Sequence, residues 1–370
     1  MKITLPANEL LERVANVSRL IGARTILAVL TCVKIEVRKD CFTVEATNLD
    51  QWFWCDTPHE HADNVPGSCC VSAKMLCSLL GTFGKKPVTL ELRAAKKGLS
   101  RLVVSEGANE TGLLFVPAEE WPARPVMADV AVLHVGAMDV FAQDLAWVSK
   151  ALSRGSEGTP IMSGLNVRPA DGAMGATDGK RAHIAYLPEP GTGEPFTLPP
   201  EAVSCFKAMA ADARAMDFYA GAASIAGGAV KIVAGQWSLI SRTMEGEWPW
   251  RPLQSMLAWE SQREFVRFKT EVAAVAIRSA GEFGGEAKRI AIAGDLAGVK
   301  VRASDVHVGS MEWSLGGSGL AAFECSAKFL GEFIAGNGEE TELRSDGPGK
   351  PVQLRRGSRA GLLQPMLDHA

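Results

Sequence analysis

The sequence repeats itself at a distance too long for a solenoid. Three alternating stretches, VKIEVRKDCFTVEATN, GLNVRPADGAMGATD and RIAIAGDLAGVKVRASD, end in Ala46-Thr47-Asn48, Ala176-Thr177-Asp178 and Ala303-Ser304-Asp305, at spacings of 130 and 127 residues. Roughly 25 residues after each triplet comes an amphipathic run: SAKMLCSLLGTFG from Ser72, PPEAVSCFKAMAADA from Pro199 and SAKFLGEFIAGNG from Ser326. Ser72 and Ser326 stand where helix N-caps would, Gly84 and Gly336 where C-caps would, and Pro199 and Pro200 suit a first helical turn. A second helix opens each unit. ANELLERVANVSRLIG, capped by Asn8, places Leu10, Val14, Val17 and Ile21 on one face; GAMDVFAQDLAWVSKALSRG does the same with Met138, Phe141, Leu145, Val148 and Leu152. The third copy, RFKTEVAAVAIRSAG, offers Phe268, Val272 and Val275.

Each unit therefore reads strand, helix, strands, helix, strands over about 123 residues, an ordinary domain size, against the 20 to 50 residues of solenoid repeats. The expected fold class is α+β: three tandem copies of one domain, each with two helices packed on antiparallel sheets. The expected domains are residues 1–127, 128–258 and 259–370, with boundaries before the strand VAVLHV and after the proline-bearing WPWRPLQSM.

Composition narrows the functions open to such a chain. The 370 residues are 47% hydrophobic and hold no apolar run long enough to span a bilayer. MKITLPANELLERV becomes charged and amphipathic at once, without a signal-type apolar stretch, so a cytoplasmic location is expected. Eight cysteines lack C-x-x-C spacing and suit reduced core thiols. A formal charge of −3 gives no bulk attraction for nucleic acid, so any such contact must come from uneven charge.

The order of elements, ATDGKR (176–181), LFVPAEEWP (114–122), EGEWP (245–249) and LLQPML (362–367) together resemble the bacterial sliding clamp, the β subunit of DNA polymerase III, over essentially the whole chain. The resemblance implies that each repeat is a clamp, or processivity-fold, domain. Two subunits would close head to tail into a ring around duplex DNA, with helices lining the hole and sheets outside. It implies a processivity factor with no catalytic residues, no cofactor and no metal. Its partners would be double-stranded DNA without sequence preference, the polymerase III α subunit and other polymerases, a clamp loader, and a second copy of itself, with no membrane. A paralogue serving repair, a mobile element or drug tolerance keeps the same fold; a monomeric peptide-binding adaptor and an unrecognised enzyme are further alternatives.

The resemblance also assigns residues. A peptide-binding pocket between the second and third domains would be formed by Met162, Thr177, Gly179, Lys180, Arg181, Ala182, Pro249, Leu253, Leu362, Leu363, Pro365 and Met366, apolar walls with a cationic rim. Read alone, Thr177–Ala182 is more simply a tight Asp-Gly turn with its cations in solvent. Lys180 replaces the family's common His and Ala182 a larger aliphatic. The DNA-facing cations would be Arg24, Lys74, Lys150, Arg154, Lys207 and Lys328, although solvated helix faces explain such charges as well. Thr111, Leu113, Ile277 and Arg278 would lie at the subunit contact, where Thr111 and Arg278 replace large apolar side chains.

Enzymatic motifs fail on spacing. His59-Glu60-His61 with Asp63, Cys69 and Cys70 matches no standard zinc arrangement. GTGEPF at 191 lacks the third glycine of a dinucleotide loop, and GGSGLAAF at 316 is no nucleophile elbow, because Leu320 occupies the last glycine position.

Overall fold

The computed structural model describes the chain apart from residues 23–24, 26, 60–62, 95–99, 128–129, 154–158, 222–227, 258–263, 337, 346, 348 and 367–370. Both expected domain boundaries fall on residues outside that description. The first third carries β1 (Lys2–Pro6), α1 (Ala7–Val17), β2 (Cys32–Val37), β3 (Cys41–Thr47), β4 (Gln51–Pro58), β5 (Gly67–Ser72), α2 (Ala73–Leu80), β6 (Pro87–Arg93), β7 (Arg101–Glu106) and β8 (Asn109–Val116). The middle third carries β9 (Ala131–Val135), α3 (Met138–Val148), β10 (Leu165–Arg168), β11 (Ala173–Thr177), β12 (Arg181–Tyr186), β13 (Phe196–Leu198), α4 (Pro200–Asp212), β14 (Met216–Gly221), β15 (Ala229–Ala234), β16 (Trp237–Arg242) and α5 (Trp250–Met256). The last third carries β17 (Glu264–Lys269), α6 (Thr270–Ala280), β18 (Arg289–Asp295), β19 (Gly298–Asp305), β20 (Gly309–Gly316), β21 (Ser318–Gly319), β22 (Ala322–Ser326), α7 (Ala327–Ile334), β23 (Glu340–Ser345), β24 (Val352–Arg356) and β25 (Arg359–Leu363).

Two compact units emerge, and each takes part of the middle third: Met1–Met138 with Leu198–Thr243, and Asp139–Thr197 with Met244–Ala370. Strand pairing explains the division. In unit 1, β4 pairs antiparallel with β16, so strands of the first and middle thirds run on in one twelve-stranded sheet, β1-β6-β7-β8-β5-β2-β3-β4-β16-β15-β14-β9. In unit 2, β12 pairs antiparallel with β25, giving a nine-stranded sheet, β13-β10-β11-β12-β25-β24-β23-β17-β21, beside a four-stranded one, β20-β19-β18-β22. Joining edges this way leaves few unpaired backbone groups at each seam.

The same turn recurs in the three repeats. Thr47 donates its hydroxyl to the Gln51 carbonyl, and Asn48 Oδ1 accepts from the amides of Asp50 and Gln51. Thr177 donates to the Arg181 carbonyl, and Asp178 Oδ1 accepts from Lys180 and Arg181. Asp305 Oδ1 accepts from the amides of His307 and Val308. In the first two copies the third turn position takes positive φ, which Gly179 supplies at 81° and Leu49 adopts at 77° against its preference, whereas the third copy, with Val306 there, does without it.

The helices largely follow their periodicity. Leu10, Val14 and Val17 of α1 are buried, as are Phe141, Leu145 and Val148 of α3, and Pro200 opens α4. Three local readings are corrected. Helix α1 begins at Ala7 after Pro6, so Asn8 is not its cap. Ser72 caps α2 by accepting from Met75, but Ser326 makes no such bond, and α2 ends at Leu80, short of Gly84. Phe268 lies in β17, and α6 turns Val272 and Val275 outward while burying Ala273, Ala276, Ile277 and Ala280. Helix α6 packs so closely on α7 that a Cβ at Gly281 would lie 3.0 Å from that of Ala327, so small side chains mark the buried face.

Candidate functional site

The Thr177–Arg181 turn sits where β11, β12 and β25 meet in unit 2. Period-two alternation sends its side chains to opposite faces of the sheet. On one face Ala182, Ile184 and Leu362 join Ile161, Ala173, Trp248, Trp250 and Leu253 in an apolar cluster, with Met162, Met244 and Leu257 partly buried against it. Trp248 lies over Gly175, where a Cβ would come within 2.9 Å of the indole ring. Trp250 stacks its ring 4.7 Å from the Arg168 guanidinium. Pro249, between them, is half-buried, while Gly179 and Lys180 are exposed beside the cluster.

The opposite face is ionic and aromatic. Arg181 is 7% exposed and donates to Asp178, to Glu332 and to the Lys150 carbonyl, with its guanidinium over the Phe329 ring. Next to it, fully buried His183 stacks on Trp147 at 4.1 Å and donates from Nδ1 to the Trp147 carbonyl, 2.8 Å away. Burial pushes its pKa down to about 3, so the ring is neutral at physiological pH. Gly361 makes room for this stack, since a Cβ there would strike the Phe333 ring. Arg359 closes the layer by pairing with buried Asp144 at 2.7 Å and donating to the carbonyls of Ala335 and Gly336.

This geometry revises the sequence-derived pocket. Arg181 is committed inside the fold and is not a rim cation. Leu363 is fully buried and, one residue on from Leu362, faces the ionic side. Thr177 is 4% exposed and spends its hydroxyl on the turn. Pro365 and Met366 leave the cluster: the Met366 amide donates to the Glu324 carbonyl of β22, and both residues line a separate hollow of about 320 Å³ with Ala291, Ala293, Phe323 and the Arg289–Glu324 pair.

The amino-terminal third, residues 1–125, matches the sequence profile of the DNA polymerase III beta subunit, N-terminal domain. A Bacillus subtilis beta sliding clamp is 25% identical over 190 residues, 49% of this chain and 48% of that protein, so the match spans about half the length of that relative. Structural likeness extends further. A Bacillus subtilis DNA polymerase sliding clamp superposes with a TM-score of 0.85 at 19% identity, covering 100% of both chains. A Pseudomonas aeruginosa sliding clamp bound to griselimycin gives 0.86 at 14% identity over 99% of each. The fold is that of a bacterial sliding clamp.

On this sliding-clamp fold the predicted cations fall in three groups. Lys74 and Lys328 are exposed at the second position of α2 and α7, and Lys207 is exposed on α4. Lys150 is half-buried, and burial lowers its pKa. Arg24 and Arg154 lie outside the described residues, as do Glu60 and His61. Among the described residues no cluster of side chains has the makings of a metal site, and no helix is long and apolar enough to cross a membrane.

The predicted subunit contact also divides. Thr111 and Arg278 are exposed, and Leu113 is 8% exposed at the rim of the β6-β7-β8 face. Ile277, 1% exposed, belongs to the chain's own interior between α6 and α7 and is corrected accordingly.

Two features escaped the sequence reading. Arg124 makes a bidentate pair with Glu45, at 2.8 and 3.0 Å, and lies 4.3 Å over the Trp54 ring; Glu45 is 2% exposed. The other is Trp250, within the apolar cluster. A repeated EWP-x-RP, at 120–125 and 247–252 with a spacing of 127 residues, was the signal that would have found both.

Proposed function

We propose that the chain is a processivity factor: two copies close head to tail around duplex DNA, without sequence preference, and unit 2 docks short peptides of DNA polymerase III α subunit, other polymerases and the clamp loader. The observation that supports it most is a pair of open edges. Among the described residues, strand β8 pairs with β5 only at Phe115 and Val116, which leaves Asn109–Leu114 bonded to β7 alone, and β20 ends its sheet beside β19. The open stretch of β8 has six residues and β20 has eight, and unpaired backbone edges of that length are ordinarily covered. Pairing β8 of each copy with β20 of the other is a heterologous contact that closes a ring. The three similar modules, residues 1–127, 128–258 and 259–370, would then supply six walls of one kind.

Enclosure makes tight DNA contact unnecessary. Lys74, Lys207 and Lys328, with Arg24, Lys150 and Arg154, would give the weak, sequence-independent attraction to phosphate that sliding requires. The protein would act in the cytoplasm by tethering and not by catalysis, raising the local concentration of polymerase at the primer end. An extended peptide would set one apolar side chain against Met162, Pro249 and Leu253, and Lys180 would favour an acidic neighbour. DNA synthesis on a primed circle, with clamp loader and polymerase, tests the proposal: added protein should lengthen the products of single binding events, and unchanged lengths contradict it.

The tryptophans favour a specialised paralogue as the second reading. Trp248 and Trp250 fill space beside Ala182, which implies a peptide preference of its own. Competition between replicative and translesion polymerase peptides for the same seam separates the two readings.

A further inference from the structure

Strand β20 carries a large aromatic residue where a solitary edge strand should not. Trp313 is 42% exposed. It pairs with Val301 and shares its face with Met311 and Leu315, the face that β19 lines with buried Val301 and Ala303. Helix α6 packs against β20 and leaves Val275 53% exposed. An apolar surface thus continues to the very edge of the sheet and stops there.

Strand β8 shows the reverse. Thr111 pairs with Val104 and Leu113 with Leu102; Val104 and Leu102 are fully buried, while Thr111 at the edge is exposed. A small side chain therefore leaves a notch on the core-facing side of the edge. On the other face Gly112 has no side chain, and Arg101 lies across it, its Cδ 2.9 Å from where a Cβ would stand. The corresponding face of β20 presents Glu312, held by Arg302 at 2.5 Å and Lys300 at 3.2 Å.

We infer that the occupant of each edge is a second copy of this chain, seated so that Trp313 of one copy fills the notch at Thr111 of the other. The inference rests on the ring reading above and adds to it the residue that anchors closure. One antiparallel register meets every requirement at once. Thr111 faces Trp313 and Leu113 faces Met311 on the inner side; Gly112 faces Glu312 on the outer side, which brings Arg101 to a carboxylate. The same register sets Glu110 opposite Ser314 and Leu114 opposite Ser310, so no like charges are directly opposed. The large apolar anchor missing from β8 is supplied from β20, as a knob and hole exchanged between the two strands. A buried aromatic at the centre of such a contact dominates its energy.

Sedimentation equilibrium over a concentration series tests this with the full chain. The wild type should dimerise, Trp313→Ala should weaken the dimer roughly 30-fold, and Trp313→Phe should stay within about threefold. Thr111→Trp should disrupt the contact by opposing two large side chains, and the double variant Thr111→Trp with Trp313→Thr should restore it. Trp313 is exposed on an edge, so thermal melts of the single variants, taken at concentrations where the wild type is monomeric, should match the wild type and certify their folding. A wild type that dimerises while Trp313→Ala leaves its affinity unchanged overturns the anchor and keeps the ring. A wild type that stays monomeric at every concentration overturns ring closure itself.

Discussion

Along β3 and β4 the seam of unit 1 is walled by Glu45, Trp52 and Trp54; at the corresponding positions of β11 and β12, unit 2 has Gly175, Ala182 and Ile184. In unit 1 the tryptophans close on Ile240 and Met127, and Glu45 captures Arg124 from the segment that follows. Unit 2 has no carboxylate at that place. Trp248 occupies the space above Gly175 instead, and Arg251, the counterpart of Arg124, is exposed. Duplication supplied two seams of one design, and side-chain volume separates them: tryptophans fill the first, and the second keeps the small residues that the proposed docking would use. What sits beside the small residues of unit 2 is a cluster with half-buried Met162, Met244 and Leu257 at its margin, which can repack around a guest.

The largest test of that contrast is Trp52→Ala, which should cost about 4 kcal/mol by opening a cavity in the filled seam, read from urea unfolding. A loss below about 1 kcal/mol would mean that the seam is not structural. Next comes the arginine pair. Arg124→Ala strands the buried Glu45 carboxylate and should cost about 3 kcal/mol, whereas Arg251→Ala at the matching position should stay within about 0.5 kcal/mol. Equal effects would erase the distinction between the seams.

Acid should act on unit 2 through His183. Its folded pKa, about 3, lies below the roughly 6.5 of an unfolded histidine, so between those values the unfolded chain binds the extra proton. The contribution is complete above the unfolded value and is lost as pH falls towards the folded one. At pH 5 the loss should be about 2 kcal/mol relative to neutral pH, and His183→Phe should remove that part of the pH dependence. An identical pH profile in the variant would contradict the buried neutral ring.

Much of this was readable from the sequence because repetition is a local signal compared with itself. The ATN, ATD and ASD triplets fell on the same hydrogen-bonded turn, and the helical periods of α1 and α3 named their buried faces. The seams were not readable, because pairing of β4 with β16 and β12 with β25 joins strands more than a hundred residues apart. Helix α6 was misread because its tight contact buries alanines and leaves valines outside, inverting the usual size rule. Arg181 and Leu363 carried the right motif but the other face: one residue along a strand exchanges the apolar cluster for the ionic layer.

Closure around DNA is the claim on which these assignments converge, and topology offers the most direct measurement. Protein loaded onto a circular plasmid should stay with it through gel filtration at high salt and leave once a single cut makes the plasmid linear. Release from the intact circle at the same rate, or persistence on the cut molecule, would contradict a ring.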